Sequence, residues 1–142
     1  MQHQDRDWTA ALLEDAASAG SSSEELAALV VKAFGGIDQA LSPIVGPRGL
    51  AALYKRSLHL ARPAHPWLPA VAEHAESTID TAALTAALTQ RTAAEAASAG
   101  AQLLDTFRAL LSALIGESLT DRLLGPVWAT VFSGTSARKA SP

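Results

Sequence analysis

The stretch Thr92–Phe132, TAAEAASAGAQLLDTFRALLSALIGESLTDRLLGPVWATVF, decides the fold class. Thr92, with Glu95 three positions on, is the capping-box pair that opens a helix. At about 100° per residue, Ala96, Leu103, Phe107, Leu110 and Leu114 fall in a narrow arc, and Ser98, Asp105, Arg108 and Ser112 fall opposite. The first set is expected to face the core and the second to face solvent. Gly116 closes this helix. Ser118 and Asp121 read as the cap of the next, which turns Leu119, Leu123, Leu124, Val127 and Val131 inward. Gly125-Pro126 is expected to kink it, because proline removes one backbone bond and crowds the preceding turn. Start signal, apolar stripe, stop and restart together make a long helical hairpin.

Upstream, the same signals recur. Trp8 to Ala19 reads as a first helix, capped by Asp7 and ended by Gly20 and the serines after it. Ser22 and Glu25 form another capping-box pair, ahead of a stripe of Leu26, Leu29, Val30, Ala33 and Phe34. Gly35-Gly36 is expected to loosen or break that helix, with a further turn or two from Ile37 to Ser42 before Pro43 stops it. Gly46-Pro47 restarts the chain, since proline suits a first helical turn, and a helix runs to about Ala61. The segment Arg62–Pro69 holds three prolines and reads as an ordered connector from which Trp67 and Leu68 plug the core. Pro69 to Ser77 is read as a short helix. Asp80 caps another that carries Leu84 and Leu88 one turn apart. Residues 1–134 are taken as a single helical domain, and 135–142 as a flexible polar tail.

Composition agrees. The chain of 142 residues is the length of one domain. Roughly a fifth of it is alanine, leucine is abundant, and no alternating strand pattern persists. The class is all-α: a single compact bundle of about six or seven helices centred on the hairpin. There is no cysteine, so there is no disulfide, thiolate nucleophile or cysteine metal site. A formal net charge of −3 argues against broad electrostatic binding of nucleic acid. The polar start Met1–Asp7 is not followed by a signal-peptide run, and no apolar stretch is read as approaching the ~20 residues of a membrane span. A cytoplasmic protein with no membrane partner is the expectation, and the alanine-rich composition suits a bacterial chain.

The clearest surface signal is on the helix after Gly46. Arg48, Lys55, His59 and Arg62 lie within roughly 60° of arc, opposite Leu50, Leu53, Tyr54 and Ala61. Such a face either receives a carboxylate-rich or phosphorylated partner or is the ordinary solvated side of an amphipathic helix. Gly46-Pro47-Arg48-Gly49 offers helix-start N–H groups to an anion. It lacks the lysine and the spacing of a phosphate-binding loop, and Pro47 removes a donor, so a structural turn is favoured. His59, His65 and His74 are not spaced to put two ligands on one helical face, and no acidic cluster joins them; neither a metal nor a cofactor is expected. No Ser/His/Asp arrangement, close carboxylate pair or glycine-rich nucleotide loop stands out, so the chain is read as non-enzymatic.

Two resemblances bear on function. His59-Leu60-Ala61-Arg62-Pro63 resembles the phosphoacceptor box of sensor histidine kinases in its order of histidine, arginine and proline. It departs from that box at Leu60, where the family has an acidic residue, and in lacking a threonine between Arg62 and Pro63. The lysine-glycine pair of histidine phosphotransfer domains is absent too. The order of helices resembles that of a globin over most of the chain, on lengths rather than motifs. His59 then stands where a distal histidine would. The proximal position reads Leu84-Thr85-Ala86-Ala87-Leu88, so the resemblance implies no haem.

The first functional expectation is a non-catalytic protein-interaction or regulatory module of bacterial signalling, contacting an acidic partner through Arg48, Lys55, His59 and Arg62. The small side chains of Ala93–Ala101 would let a second helix approach closely, which suggests a homodimer. The second expectation is a haem-free, globin-like small-ligand sensor with an apolar cavity closed by Trp67.

Overall fold

The computed structural model describes residues 13, 16–68 and 81–140, and for 132–140 the backbone alone. Every element among the described residues is a helix: α1 (Ser23–Val45), α2 (Pro47–Leu60), α3 (Thr81–Thr89), α4 (Ala93–Ile115) and α5 (Glu117–Ala140). Helical backbone at residues 16–18 precedes them. The expected first helix therefore lies mostly outside the described residues, as do its Asp7 cap, the Pro69–Ser77 helix, the Asp80 cap and His74.

Local chemistry sets the helix ends. Gly20, at φ +104°, returns its N–H to the Ala17 carbonyl while Ser21 returns its own to Ala16, which stops the helix before it. The Ser22 hydroxyl accepts from the Glu25 N–H at 3.1 Å and the Glu25 carboxylate accepts from the Ser22 N–H at 2.8 Å, a complete capping box. At Thr92 the hydroxyl accepts from the Glu95 N–H at 3.1 Å, but the Glu95 carboxylate meets the hydroxyl rather than the backbone.

Single glycines make the two sharp junctions. Gly46 (φ +90°) bonds its N–H to Ser42 at the end of α1, and its carbonyl takes the Leu50 N–H at the start of α2. Gly116 (φ +95°) joins α4 to α5 in the same way, between Ser112 and Thr120. The Thr120 hydroxyl adds a second donor to the Gly116 carbonyl at 2.8 Å. The start of α5 is thus capped from Gly116, and Ser118 is inside the helix rather than at its cap.

Two expected interruptions do not occur, and Pro126 is carried within a helix. Gly35 and Gly36 lie inside an unbroken α1. Gly36 is where α5 comes closest, since a Cβ there would stand 2.8 Å from Val127 Cγ1. Pro43 is in the last turn of α1, where the carbonyl it deprives of a partner belongs to exposed Gln39 and is open to water. Pro126 lies inside α5, which runs on to Ala140 through part of the stretch expected as a tail. There too the deprived carbonyl, on Arg122, belongs to an exposed residue.

The axis of the packing is the pair α1 and α4, each of which touches all four other helices. The expected hairpin therefore supplies one central helix, α4, and one outer helix, α5. The rings of Phe34 on α1, Phe107 on α4 and Tyr54 on α2 meet edge to face, with centroids 5.6 Å apart for Phe34–Phe107 and 5.2 Å for Phe34–Tyr54. Leu26, Val30, Ile37, Leu41, Leu50 and Leu58 complete this core from α1 and α2. Leu84 and Leu88 enter it from α3, as expected, and Leu68 from the connector. The Ser23 hydroxyl bonds the Thr89 carbonyl at 3.1 Å and ties the start of α1 to the end of α3.

Two faces differ from the sequence reading. On α4 the buried set includes Ala96, Gly100, Leu103, Leu104, Phe107, Arg108 and Leu111. Leu110 is only half-buried, Leu114 is 61% exposed, and Arg108 is inside. The arc is rotated because α4 is covered by several neighbours along its length. On α5, Leu124 and Val127 are buried as expected, but Leu119 is exposed, and Thr120 and Trp128 take inward places. Finally, α1 is long and apolar enough to cross a membrane, with a mean hydropathy of 1.3 over its best 18-residue window. This differs from the expectation that no apolar stretch approaches the length of a membrane span. Here the apolar face of α1 lies in the core, and Glu24, Glu25, Lys32, Asp38 and Gln39 are on the exposed side.

Candidate functional site

The outer face of α2 is positioned from both ends. Gly46 fixes where the helix begins, and Leu50, Ala51, Tyr54, Ser57 and Leu58 are buried against α1 and α4. That leaves the opposite side to solvent. Arg48 and His59 are exposed on it, Lys55 is half-buried, and Arg62 is exposed in the turn that follows the helix. The Arg62 N–H bonds the His59 carbonyl at 3.1 Å, so the chain still follows the helical path there and Arg62 stays in line with the face. All four expected residues therefore share one surface. Arg56, exposed at its flank, was not included in the sequence reading; only its direct succession to Lys55 could have marked it. From Pro47 to Leu60, α2 contains Arg48, Lys55 and Arg56 and no acidic residue, in a chain whose net charge is −3. Of the Gly46–Gly49 stretch, Gly46 is the junction and Pro47–Gly49 open α2, with Gly49 held against α1: a Cβ there would stand 2.7 Å from Val45 Cγ1.

His59 faces away from the core, which removes it from any distal-histidine role inside the fold. His65 is the histidine that turns inward. It is 8% exposed, its Nε2 has no hydrogen-bond partner, and its ring meets Trp67 edge-on at 5.9 Å. Burial lowers its pKa below the ordinary histidine value, while the Glu95 carboxylate pulls in the opposite direction. The Arg91 guanidinium lies 4.4 Å over the Trp67 ring. Trp67 is thus half-buried against the core with Arg91 over its ring, and Leu68 is fully buried in the core.

Ala96, Ala97, Ala99, Gly100 and Ala101 are buried within the chain itself. A Cβ on Gly100 would meet Val30 Cγ2 at 2.5 Å. At Gly100 the close approach that small residues permit is made by α1, while Ala94 and Ser98 of the same stretch are exposed.

An open groove of about 670 Å³ separates α1 from α5, over Gly35 and Gly36. Its rim carries Lys32, Gln39 and Thr130, and its walls include Pro126, Val127 and Val131. No feature of the sequence pattern pointed to it, because it forms only when two distant helices meet. Among the described residues no cluster of three or more histidine or acidic side chains is placed to hold a metal ion.

No family model matches this chain, and neither a curated protein nor a solved structure matches it.

Proposed function

We propose that the chain is a single compact helical bundle acting as a non-catalytic interaction or regulatory module, which receives an acidic protein segment on the outer face of α2. The observation that carries this reading is the charge of that helix: Arg48, Lys55 and Arg56, continued by His59 and Arg62, with no carboxylate among them. An exposed face of one sign on a protein of the opposite net sign steers an acidic partner to one place. Arginines also offer paired donors to carboxylates or phosphates. The test is binding of an oligo-glutamate peptide, followed by anisotropy at rising salt. Affinity should fall as salt screens the face, and the Arg48→Glu/Arg62→Glu double variant should lose it. Both side chains are exposed, so the variant should keep its helical circular dichroism. A folded double variant that binds as the parent does would overturn the reading.

A second reading, the haem-free small-ligand sensor with a globin-like helix order, draws support from the space between α1 and α5. The described ligand place for it is the open groove, since His59 faces outward.

A further inference from the structure

We propose that the α1–α5 groove binds an amphiphile with a single carboxylate and an unbranched apolar tail, of the medium-chain fatty-acid class. The proposal deepens the small-ligand reading and is independent of the basic face on α2.

The shape argument begins with Gly35. Glycine weakens a helix interior, so its presence there needs a reason. Gly36 has one within the chain, the approach of Val127. Gly35 has none: its backbone is ordinary helix and a Cβ would meet nothing within 4 Å. It is exposed and lines the groove, with open space where a Cβ would be. A glycine facing open volume lets something from outside approach the backbone closely. The volume of about 670 Å³ is in the range of small-molecule sites.

The chemistry follows from the lining. Its apolar contacts come from Ala40, Pro126, Val127 and Val131, and among the described residues Lys32 is the one charged side chain lining it. Lys32 is exposed, and no ion pair or hydrogen bond occupies it among the described residues. From Lys32 to Gln39 is seven residues along α1, about 10 Å at the helical rise. The groove therefore offers a cation at one end, an apolar trough of roughly one short acyl chain, and a polar side chain at the other. One carboxylate and one apolar tail complement that order. A neutral chain leaves Lys32 unmatched, and a cationic one is repelled by it.

The test uses three probes of equal chain length, decanoate, decanol and decyltrimethylammonium, each below its micelle-forming concentration. They are titrated into the full chain while backbone amide shifts are followed by NMR. Decanoate should saturate, with the largest shifts over residues 32–40 and 126–131. It should bind up to about fivefold more tightly than decanol, the upper scale of one exposed charge pair, and decyltrimethylammonium should be weakest. Lys32→Met should bring decanoate down to the affinity of decanol and leave decanol unchanged. Gly35→Leu, which fills that space with the side chain of a better helix former, should keep the fold and lose all three probes. If decanol or the cation binds in the groove as well as decanoate does, the carboxylate assignment falls and the small-ligand reading stands. If no probe binds, or if the shifts lie elsewhere, both fall.

Discussion

Arg108 of α4 and Asp121 of α5 are hydrogen-bonded across the Gly116 junction, and the cationic partner is the buried one: Arg108 is 4% exposed and Asp121 37%. Removing the carboxylate strands charge inside, whereas removing the guanidinium leaves an acid that water can reach. Asp121→Ala should therefore cost about 1–2 kcal/mol, kept at the low end by solvent screening at Asp121 and by the further interaction Arg108 makes. Arg108→Met should cost less, because methionine fills the place of the side chain without a charge to solvate. Urea denaturation of the two variants checks the order. A larger loss in Arg108→Met would show that the guanidinium contributes more through its bonds than its desolvation costs.

Phe107 meets Phe34 in the core, while Leu114, two turns further along α4, is 61% exposed. Phe107→Ala should destabilise by ~3–5 kcal/mol, through lost burial and the cavity left behind. Leu114→Ala should change stability by no more than about 0.5 kcal/mol, as at an ordinary surface position. Equal losses at both positions would return α4 to the orientation that the apolar arc alone suggests.

That arc shows where the sequence stops being readable. Ser22, Thr92, Gly20, Gly46, Pro47 and Gly116 act on groups a few residues away, so helix ends can be read from the chain itself. The inward face of α1 is legible too, because Leu26, Val30, Ala33 and Phe34 all lie on one side. The face of α4 is not, because its neighbours cover it from several directions and buried Arg108 pairs with Asp121, thirteen positions later on another helix. Gly35-Gly36 and Pro43 look like breaks when read locally. They are tolerated because α5 packs on one and the other comes in a last turn. The basic face of α2 follows from spacing alone, whereas the groove needs the meeting of α1 and α5.

Glycines of opposite effect offer a comparison within one chemistry. At Gly100 an added methyl would press on Val30 Cγ2 at 2.5 Å, in the buried contact between α1 and α4. Gly100→Ala should destabilise by about 1–3 kcal/mol through overpacking, even though alanine is the better helix former. At Gly35 the added methyl meets nothing within 4 Å. Gly35→Ala should stabilise by roughly 0.5–1 kcal/mol. Thermal melts of both variants test the pair, and a Gly100→Ala protein as stable as the parent would mean that α1 and α4 are not in such close contact.

His65 supplies the pH dependence. Burial without a partner for Nε2 holds its folded-state pKa below the ordinary histidine value of about 6.5, and the attraction of Glu95 only partly offsets this. Between the lowered value and 6.5 the unfolded chain binds more protons than the folded one, so stability rises with pH through that window. The contribution of His65 is thus fully present above 6.5 and is lost as pH falls through the folded-state value. Urea midpoints measured between about pH 7.5 and 5.5, above the ordinary carboxylate range, should decline toward acid. His65→Gln removes the titrating group, so its midpoints should decline less over the same interval. Glu95→Gln removes the opposing attraction, so it should lower the pKa of His65 further and steepen the decline, which histidine ring NMR resolves directly. A parent protein whose midpoint rises as pH falls from 7.5 would mean that His65 gains a partner on protonation, with Glu95 outweighing burial.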